Sequence, residues 1–340
     1  MTIQVFTPSL HAQHQPSIDL SDGIPAIKHP ETPQRVESIL AALNALPDME
    51  IINVAELAEV EVRQLHDTDY VDFLMAIAAQ LNNEDEYIPS IFHPDMKASP
   101  LRFHGGMYCS EIGTPIGAHT IHAALNAAAT SVAAANHVLD TGSDAIALCR
   151  PPGHHAGKRR YGGYCYFNNA FLAARTLAGD TQCCPVLDID YHFGDGSIEF
   201  SNQSTPYFSL HADPWKNYPY LDSREKLDYP HAKLGILEAQ TNITQYLVQL
   251  STMLEALSDY SPNYAALSLG FDTLATDSIQ DAPIKIQRED FRNIGTLIGH
   301  KIQAPLLILL EGGYDITHLG DCMTSFLNGF LDSRNEPSTT

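Results

Sequence analysis

The chain has 340 residues, of which 44 % are hydrophobic and 18 % are charged, enough apolar surface for a large core. Its 41 acidic residues outnumber 19 Lys and Arg, so the net charge is −22. This balance argues against a nucleic-acid-binding protein, which would carry a basic stripe. Six cysteines without a CxxC pair indicate reduced thiols. Since no apolar run reaches about 18 residues and no apolar leader follows Met1, we predict a cytoplasmic protein without membrane contact.

Helical patterns and short apolar runs alternate along most of the chain. The predicted helices, in chain order, cover residues 34–46, 119–139, 168–178, 237–257, 288–303 and 317–331. The predicted strands cover residues 145–149, 185–191, 207–211, 264–271 and 306–310. Because these strands are apolar on both faces, the pattern predicts an α/β fold with a mainly parallel sheet flanked by helices. We expect residues 1–340 to form a single domain.

Two segments depart from the alternation. Residues 82–117 mix prolines, glycines and aromatic residues with charges, and a loop of this length in a compact domain is usually functional. Residues 333–340 are polar, and we expect a frayed tail there.

The loops that follow four of the predicted strands carry polar side chains suited to catalysis. These side chains are, in chain order, His154, His155, Asp188, Asp190, His192, Asp195, Asp272 and Tyr314. Because the carboxyl ends of parallel strands lie along one edge of a sheet, we expect the side chains to converge there.

Asp190 and His192 share one face of an extended segment because they are two residues apart. Asp272, at the end of another strand, could provide a third metal ligand. Three protein ligands and one open position are typical of a catalytic zinc site, although these ligand types also suit other divalent metals. The alternative for Asp190 and His192 is a hydrogen-bonded pair that binds no metal.

His154 and His155 are adjacent, and beside a metal they could serve as general base and general acid. Such a histidine needs an orienting partner, and Asp188 and Asp195 are candidate carboxylates. The alternative is a structural histidine pair.

Tyr314 follows two glycines and could donate a hydrogen bond to an oxyanion. The alternative is an ordinary tyrosine in a turn. Tyr164 also follows two glycines, and it could line an apolar tunnel or pack in the core.

Several motifs together resemble the histone deacetylase superfamily, which includes the bacterial acetylpolyamine amidohydrolases. The resemblance covers about residues 25–325 and keeps the family's order and spacing. The matching strings are HPETPQR (29–35), LHDTDYVDFL (65–74), RPPGHHA (150–156), GGYCYFNNAF (162–171), LDIDYHFGDG (187–196), YFSLH (207–211), LSLGFDTLATD (267–277) and LEGGYD (310–315).

The resemblance implies an arginase-like α/β fold and assigns roles to individual residues. It implies zinc ligands at Asp190, His192 and Asp272. The implied catalytic residues are His154, His155, their partners Asp188 and Asp195, and the carbonyl-polarising Tyr314. The implied tunnel walls are Gly163, Tyr164 and Tyr218. A structural potassium ion is implied at Asp188, Asp190, the His192 backbone, Ser209 and Leu210.

Residues 82–117 are similar to the insert with which acetylpolyamine amidohydrolases dimerise and narrow the active-site mouth, so we expect a homodimer. A narrow mouth would admit small cationic acetylated amines, and Glu111 could attract their distal ammonium group. Gly113 stands where many deacetylases carry an acidic residue that anchors the substrate backbone. The resemblance therefore does not identify the residue that would anchor the substrate backbone in this chain.

The sequence thus predicts a zinc-dependent amidohydrolase that removes acetyl groups from acetylated polyamines or diamines. One alternative is a broad-specificity lysine deacetylase or deacylase that acts on peptides or proteins. An alternative from another class is a metal-binding protein that recruits partners and catalyses weakly.

Overall fold

A computed structural model describes residues 2–21, 26–224 and 226–335 of the chain. The strands are β1 (Ile3–Pro8), β2 (Ile18–Asp19), β3 (Ile27–Lys28), β4 (Met49–Val54), β5 (Glu86–Tyr87), β6 (Ile116–Gly117), β7 (Ala145–Ala147), β8 (Val186–Asp188), β9 (Tyr207–Ala212), β10 (Ala232–Leu237), β11 (Ala265–Leu269) and β12 (Leu306–Leu310). The helices are α1 (Gln34–Leu43), α2 (Glu59–Leu65), α3 (Thr68–Ala78), α4 (Thr120–Thr141), α5 (Asn169–Ala178), α6 (Ile243–Ser258), α7 (Asp290–Lys301) and α8 (Leu319–Asn335). Among the described helices, none is both long and apolar enough to cross a membrane.

Eight of the described strands form one sheet in the order β10-β9-β8-β11-β12-β7-β1-β4. Every neighbouring pair in this sheet is parallel. The arrangement confirms the predicted α/β class with a parallel sheet flanked by helices. It also brings the carboxyl ends of β7, β8, β9, β11 and β12 to one edge.

Hydrophobic cores lie on both sides of the sheet because successive side chains of a strand point to opposite faces. In β7, Ala145 and Ala147 belong to one core, which includes residues of α4 and α5. Ile146 belongs to the other core, which includes residues of α1, α6, α7 and α8. This double burial explains why the central strands read as nearly continuous apolar runs.

The prediction was least successful at the edges of the sheet. The edge strands β4 and β10 are partly exposed and lack the apolar run that marks a buried strand, so neither was predicted. The sequence analysis also missed β1, which lies next to β4. The helix expected over 237–257 begins later, because Leu237 ends β10 and Asn242 caps α6. Asn242 and Gln245 form a capping box there, a local signal for the helix start.

Residues 82–117 include the antiparallel pair β5 and β6 and a 3-10 helix at Leu101–Met107. Ile91 and Phe92 are exposed in this segment, at 39 % and 43 %.

The expected frayed tail is wrong at its start. Residues 333–335 continue α8, and the buried Ser333 hydroxyl donates to the Phe330 carbonyl at 2.7 Å. Packing of the last helix turn against the core outweighs its polar sequence. Residues 336–340 lie outside the described residues.

Candidate active site

Four loops at the carboxyl edge of the sheet bring the predicted polar residues together. The histidine pair follows β7, the Asp188–Asp195 segment ends β8, Asp272 follows β11 and Tyr314 follows β12. The loop residues come from positions up to 160 apart in sequence, and parallel strand order alone makes them neighbours.

Asp190, His192 and Asp272 form the candidate metal centre. Each is buried, and each offers a ligand atom, with all three atoms within 4.8 Å of one another. His192 Nδ1 lies 3.0 Å from Asp272 Oδ2 and 3.4 Å from Asp190 Oδ1. The Gly312 amide donates to Asp190 Oδ2 at 2.7 Å, which fixes one carboxylate in place.

The electrostatics of this cluster fit a divalent cation. Burial, followed by the Asp190 carboxylate, raises the pKa of Asp272. Burial alone would lower the pKa of His192, but Asp190 and Asp272 outweigh it and raise the pKa to about 9. Two buried carboxylates beside one imidazole therefore favour a positive charge between them.

The backbone beside the cluster leaves space that only glycine provides. A Cβ atom at Gly312 would lie 2.5 Å from the carboxylate oxygens of both Asp190 and Asp272. A Cβ atom at Gly270 would lie 2.3 Å from Asp190 Oδ2. These two glycines let the strand ends approach the donor oxygens closely.

His154 and His155 lie beside the metal cluster, with ring centroids 4.0 Å apart. His154 Nδ1 lies 3.1 Å from Asp188 Oδ2, and His155 Nδ1 lies 2.7 Å from Asp195 Oδ1. The carboxylate on Nδ1 leaves His155 Nε2 available for another partner, whereas His154 Nε2 lies 3.6 Å from Asp190 Oδ1.

The two histidines have opposite electrostatic environments. Burial disfavours the charged form of His154, but Asp190 and Asp188 outweigh it and raise its pKa well above the ordinary value. Burial and the neighbouring His154 lower the pKa of His155 to about 3.

Two of the expected tunnel residues, Gly163 and Tyr218, lie against His155, and the third, Tyr164, lies against Tyr314. The Tyr218 ring meets His155 edge-on, with centroids 4.7 Å apart, and the Tyr164 ring meets Tyr314 edge-on at 5.7 Å. Gly163 has a φ of +53°, and a Cβ atom there would lie 2.3 Å from the His155 ring. Gly163 is thus required by both its backbone conformation and its contact with the histidine.

Glu111 lies next to these residues. Its carboxylate accepts from the Gly163 amide at 3.3 Å and from the Gly113 amide, and burial raises its pKa.

Ser209 and Leu210 lie in β9, where Ser209 pairs in register with Asp188. The Ser209 hydroxyl lies 2.7 Å from His211 Nδ1. The potassium site stays a prediction.

The sequence analysis missed several residues that hold the site. Glu311 accepts from the amides of Gly153 and His154 at 2.7 and 3.1 Å, and burial raises its pKa to about 7. Its position directly after an apolar strand was an available signal.

Tyr207, Arg35 and Arg160 were also missed. Tyr207 donates to Asp188 Oδ2 at 2.6 Å, and Arg35 donates to the Gly313 carbonyl at 2.6 Å. Arg160 donates to Asp195. The basic run at residues 158–160 in an acidic chain could have drawn attention to Arg160. Arg35 and Tyr207 lie in the family-matching strings HPETPQR and YFSLH, but the sequence analysis gave them no role.

We expect chelator-treated protein to bind one Zn²⁺ per chain, as measured by isothermal titration calorimetry. Asp272→Asn replaces a charged ligand with a neutral amide and should weaken binding by about 100-fold or more. Asp213→Asn is the control, because Asp213 pairs with Lys216 at 2.6 Å and is not one of the three ligands. Equal affinity of Asp272→Asn and the unmodified protein would contradict the metal site.

Comparisons with known proteins agree with this site. Residues 29–330 match the histone deacetylase domain. The chain is 32 % identical to the acetylpolyamine amidohydrolase of Burkholderia pseudomallei (strain 1710b), covering 88 % of this chain and 91 % of that protein. It is 28 % identical to histone deacetylase 8 of Arabidopsis thaliana, covering 89 % of this chain and 79 % of that protein.

The fold also matches a solved structure. The crystal structure of an acetylpolyamine aminohydrolase from Burkholderia pseudomallei superimposes with a TM-score of 0.90 at 28 % identity, covering 98 % of this chain and 99 % of that one. The chain belongs to the histone deacetylase family and is a hydrolytic deacetylase.

Proposed function

We propose that the protein is a zinc-dependent amidohydrolase that removes acetyl groups from acetylated polyamines or diamines. One observation carries the proposal: a buried three-ligand cluster stands beside two histidines, each held by its own carboxylate. The name of the Burkholderia relative supports the substrate class.

Different residues of this chain have different roles in the proposed amide hydrolysis. When bound, a divalent ion supplies Lewis acidity that lowers the pKa of water and polarises a carbonyl. His155, with Nδ1 held by Asp195, accepts the proton of the attacking water at Nε2 while the water oxygen bonds to the carbonyl carbon. The Tyr314 hydroxyl donates to the developing oxyanion.

The reaction ends when the C–N bond breaks and the leaving amine takes a proton from the histidine pair. His154 stands beside His155 and is held by Asp188, which supports a role for the pair in this transfer. Acetate and a free amine are released.

The residues expected to line the mouth support the proposed substrate class. Gly163, Tyr164 and Tyr218 form the proposed tunnel walls, and Glu111 lies beside Gly163. A slender cationic chain suits such a tunnel better than a bulky protein loop. The net charge of −22 also attracts cations over a screening length of about 8 Å at physiological salt.

The homodimer also belongs to this proposal. Exposed Ile91 and Phe92 in the segment at residues 82–117 support an interface with a second copy. A structural potassium ion and a cytoplasmic location stay predictions.

Two alternatives differ in what supports them. The match to the Arabidopsis histone deacetylase supports the second candidate function, a lysine deacylase that acts on peptides. The set of Asp190, His192, Asp272 and Tyr314 argues against a weakly catalytic recruiting protein.

The substrate class can be tested by comparing kcat/KM on N-acetylputrescine, N-acetylcadaverine and N8-acetylspermidine with that on an acetyl-lysine peptide. We expect the small amines to be preferred by about tenfold or more, since the proposed tunnel would admit a slender cationic chain more readily than a peptide. Zinc-loaded protein should be active and chelator-treated protein inactive. A preference for the peptide would instead support the lysine deacylase.

Tyr314→Phe should lower kcat by about 100-fold, because one oxyanion donor is lost. Zinc content should stay at one ion per chain, since Tyr314 is not one of the three ligands. Tyr260→Phe serves as the control; Tyr260 packs against Phe208, with ring centroids 5.8 Å apart. Unchanged kcat in Tyr314→Phe would exclude the proposed oxyanion role.

Glu111→Gln should raise KM for N-acetylputrescine by about tenfold while leaving that for neutral N-butylacetamide unchanged, because only the first carries an ammonium group. Glu84→Gln is the matched control, since Glu84 is an exposed carboxylate in the same segment. Equal changes for both substrates would show that Glu111 acts on structure rather than on substrate charge.

A further inference from the structure

Arg160 connects the surface of the protein to the partner of His155. Its Nη1 donates to Asp195 Oδ2, and its Nη2 lies 3.3 Å from the Asp195 carbonyl. The other carboxylate oxygen of Asp195 lies 2.7 Å from His155 Nδ1. Guanidinium, carboxylate and imidazole therefore form a continuous chain of hydrogen bonds.

A second carboxylate holds Arg160 in place. Its Nη2 lies 3.2 Å from Glu199 Oε1, and Glu199 Oε2 accepts from the Lys158 amide at 2.9 Å. The guanidinium is thus fixed between two acidic residues, and a planar guanidinium orients a carboxylate better than a point charge does.

The Asp195 carboxylate needs hydrogen-bond donors from the protein because it is buried, with 6 % of its side chain exposed. In the part of the chain that the structure describes, His155 and Arg160 are the groups that bond its carboxylate oxygens. Without Arg160, one buried oxygen would lose its donor, and the carboxylate would be free to turn about its Cβ–Cγ bond.

We infer that Arg160 is a positioning residue of the deacetylase, fixing Asp195 so that the His155 ring presents Nε2 to the attacking water. The inference rests on the proposed role of His155. Arg160 touches no reacting atom and acts through Asp195.

Arg159 offers a matched control in the next position. It is similarly exposed, 34 % against 31 % for Arg160, and it also pairs with a carboxylate, at 2.8 Å from Asp69. Its guanidinium lies over the Tyr108 ring at 4.6 Å. Arg159 has the same kind of ion pair but no link to His155.

The experiment compares Arg160→Ala with Arg159→Ala in zinc-loaded protein. We expect Arg160→Ala to lower kcat by roughly 10- to 100-fold, since misplacing a catalytic group costs on this scale, while KM stays within about threefold. Arg159→Ala should keep kcat within about twofold. Dilute guanidinium chloride should restore part of the kcat of Arg160→Ala, whereas NaCl at equal ionic strength should not.

The possible results separate a positioning role from a structural one. Unchanged kcat in Arg160→Ala, or a loss that guanidinium leaves unrepaired, would overturn the inference. If Arg160→Ala does not fold, Arg160→Met keeps the apolar stem, and the same loss of kcat with unchanged KM is expected. A different result would contradict the proposed function itself: the unmodified zinc-loaded protein would then hydrolyse none of the acetylated amines or peptides.

Discussion

The structure depends on how it compensates carboxylates buried at one edge of a parallel sheet. An isolated buried carboxylate is costly, so each needs donors or a cation. Glu31, which is fully buried, has Arg35 at 3.0 Å and Arg150 at 2.8 Å. Asp190 and Asp272 have no guanidinium in the described contacts, only backbone amides and the imidazoles of His192 and His154. The difference explains why the first carboxylate stabilises the fold and the other two suit a metal.

The contacts that compensate buried charges also hold the loops that carry the proposed catalytic residues. Glu311 holds the loop of the histidine pair through the amides of Gly153 and His154. Arg35 bonds the carbonyl of Gly313, the residue before Tyr314, and lies 4.6 Å from the centre of the Tyr314 ring. Charge compensation and catalytic geometry are therefore one network, and a change to one member is expected to affect the other.

The catalytic edge and the mouth have different origins. The edge follows from strand order and is shared with a relative that matches 98 % of the chain in structure. The proposed mouth involves Glu111 and the segment at residues 82–117, where the sequence pattern is irregular. Relatives named for acetylpolyamines and for histones both match this chain, so the common fold by itself does not assign the substrate.

The sequence by itself determined five of the buried strands, β7, β8, β9, β11 and β12, and the residues at their ends, because burial on both faces gives a continuous apolar run. It did not determine β1, although that strand is also largely buried. It also did not determine the edge strands β4 and β10, because partly exposed strands lack a continuous apolar run. The candidate metal ligands were predicted from their positions at strand ends, but the contact of Arg160 with Asp195 joins residues 35 positions apart. Such contacts, like those of Glu311, are decided only by the tertiary structure, since local patterns encode burial and not the partner of a buried charge.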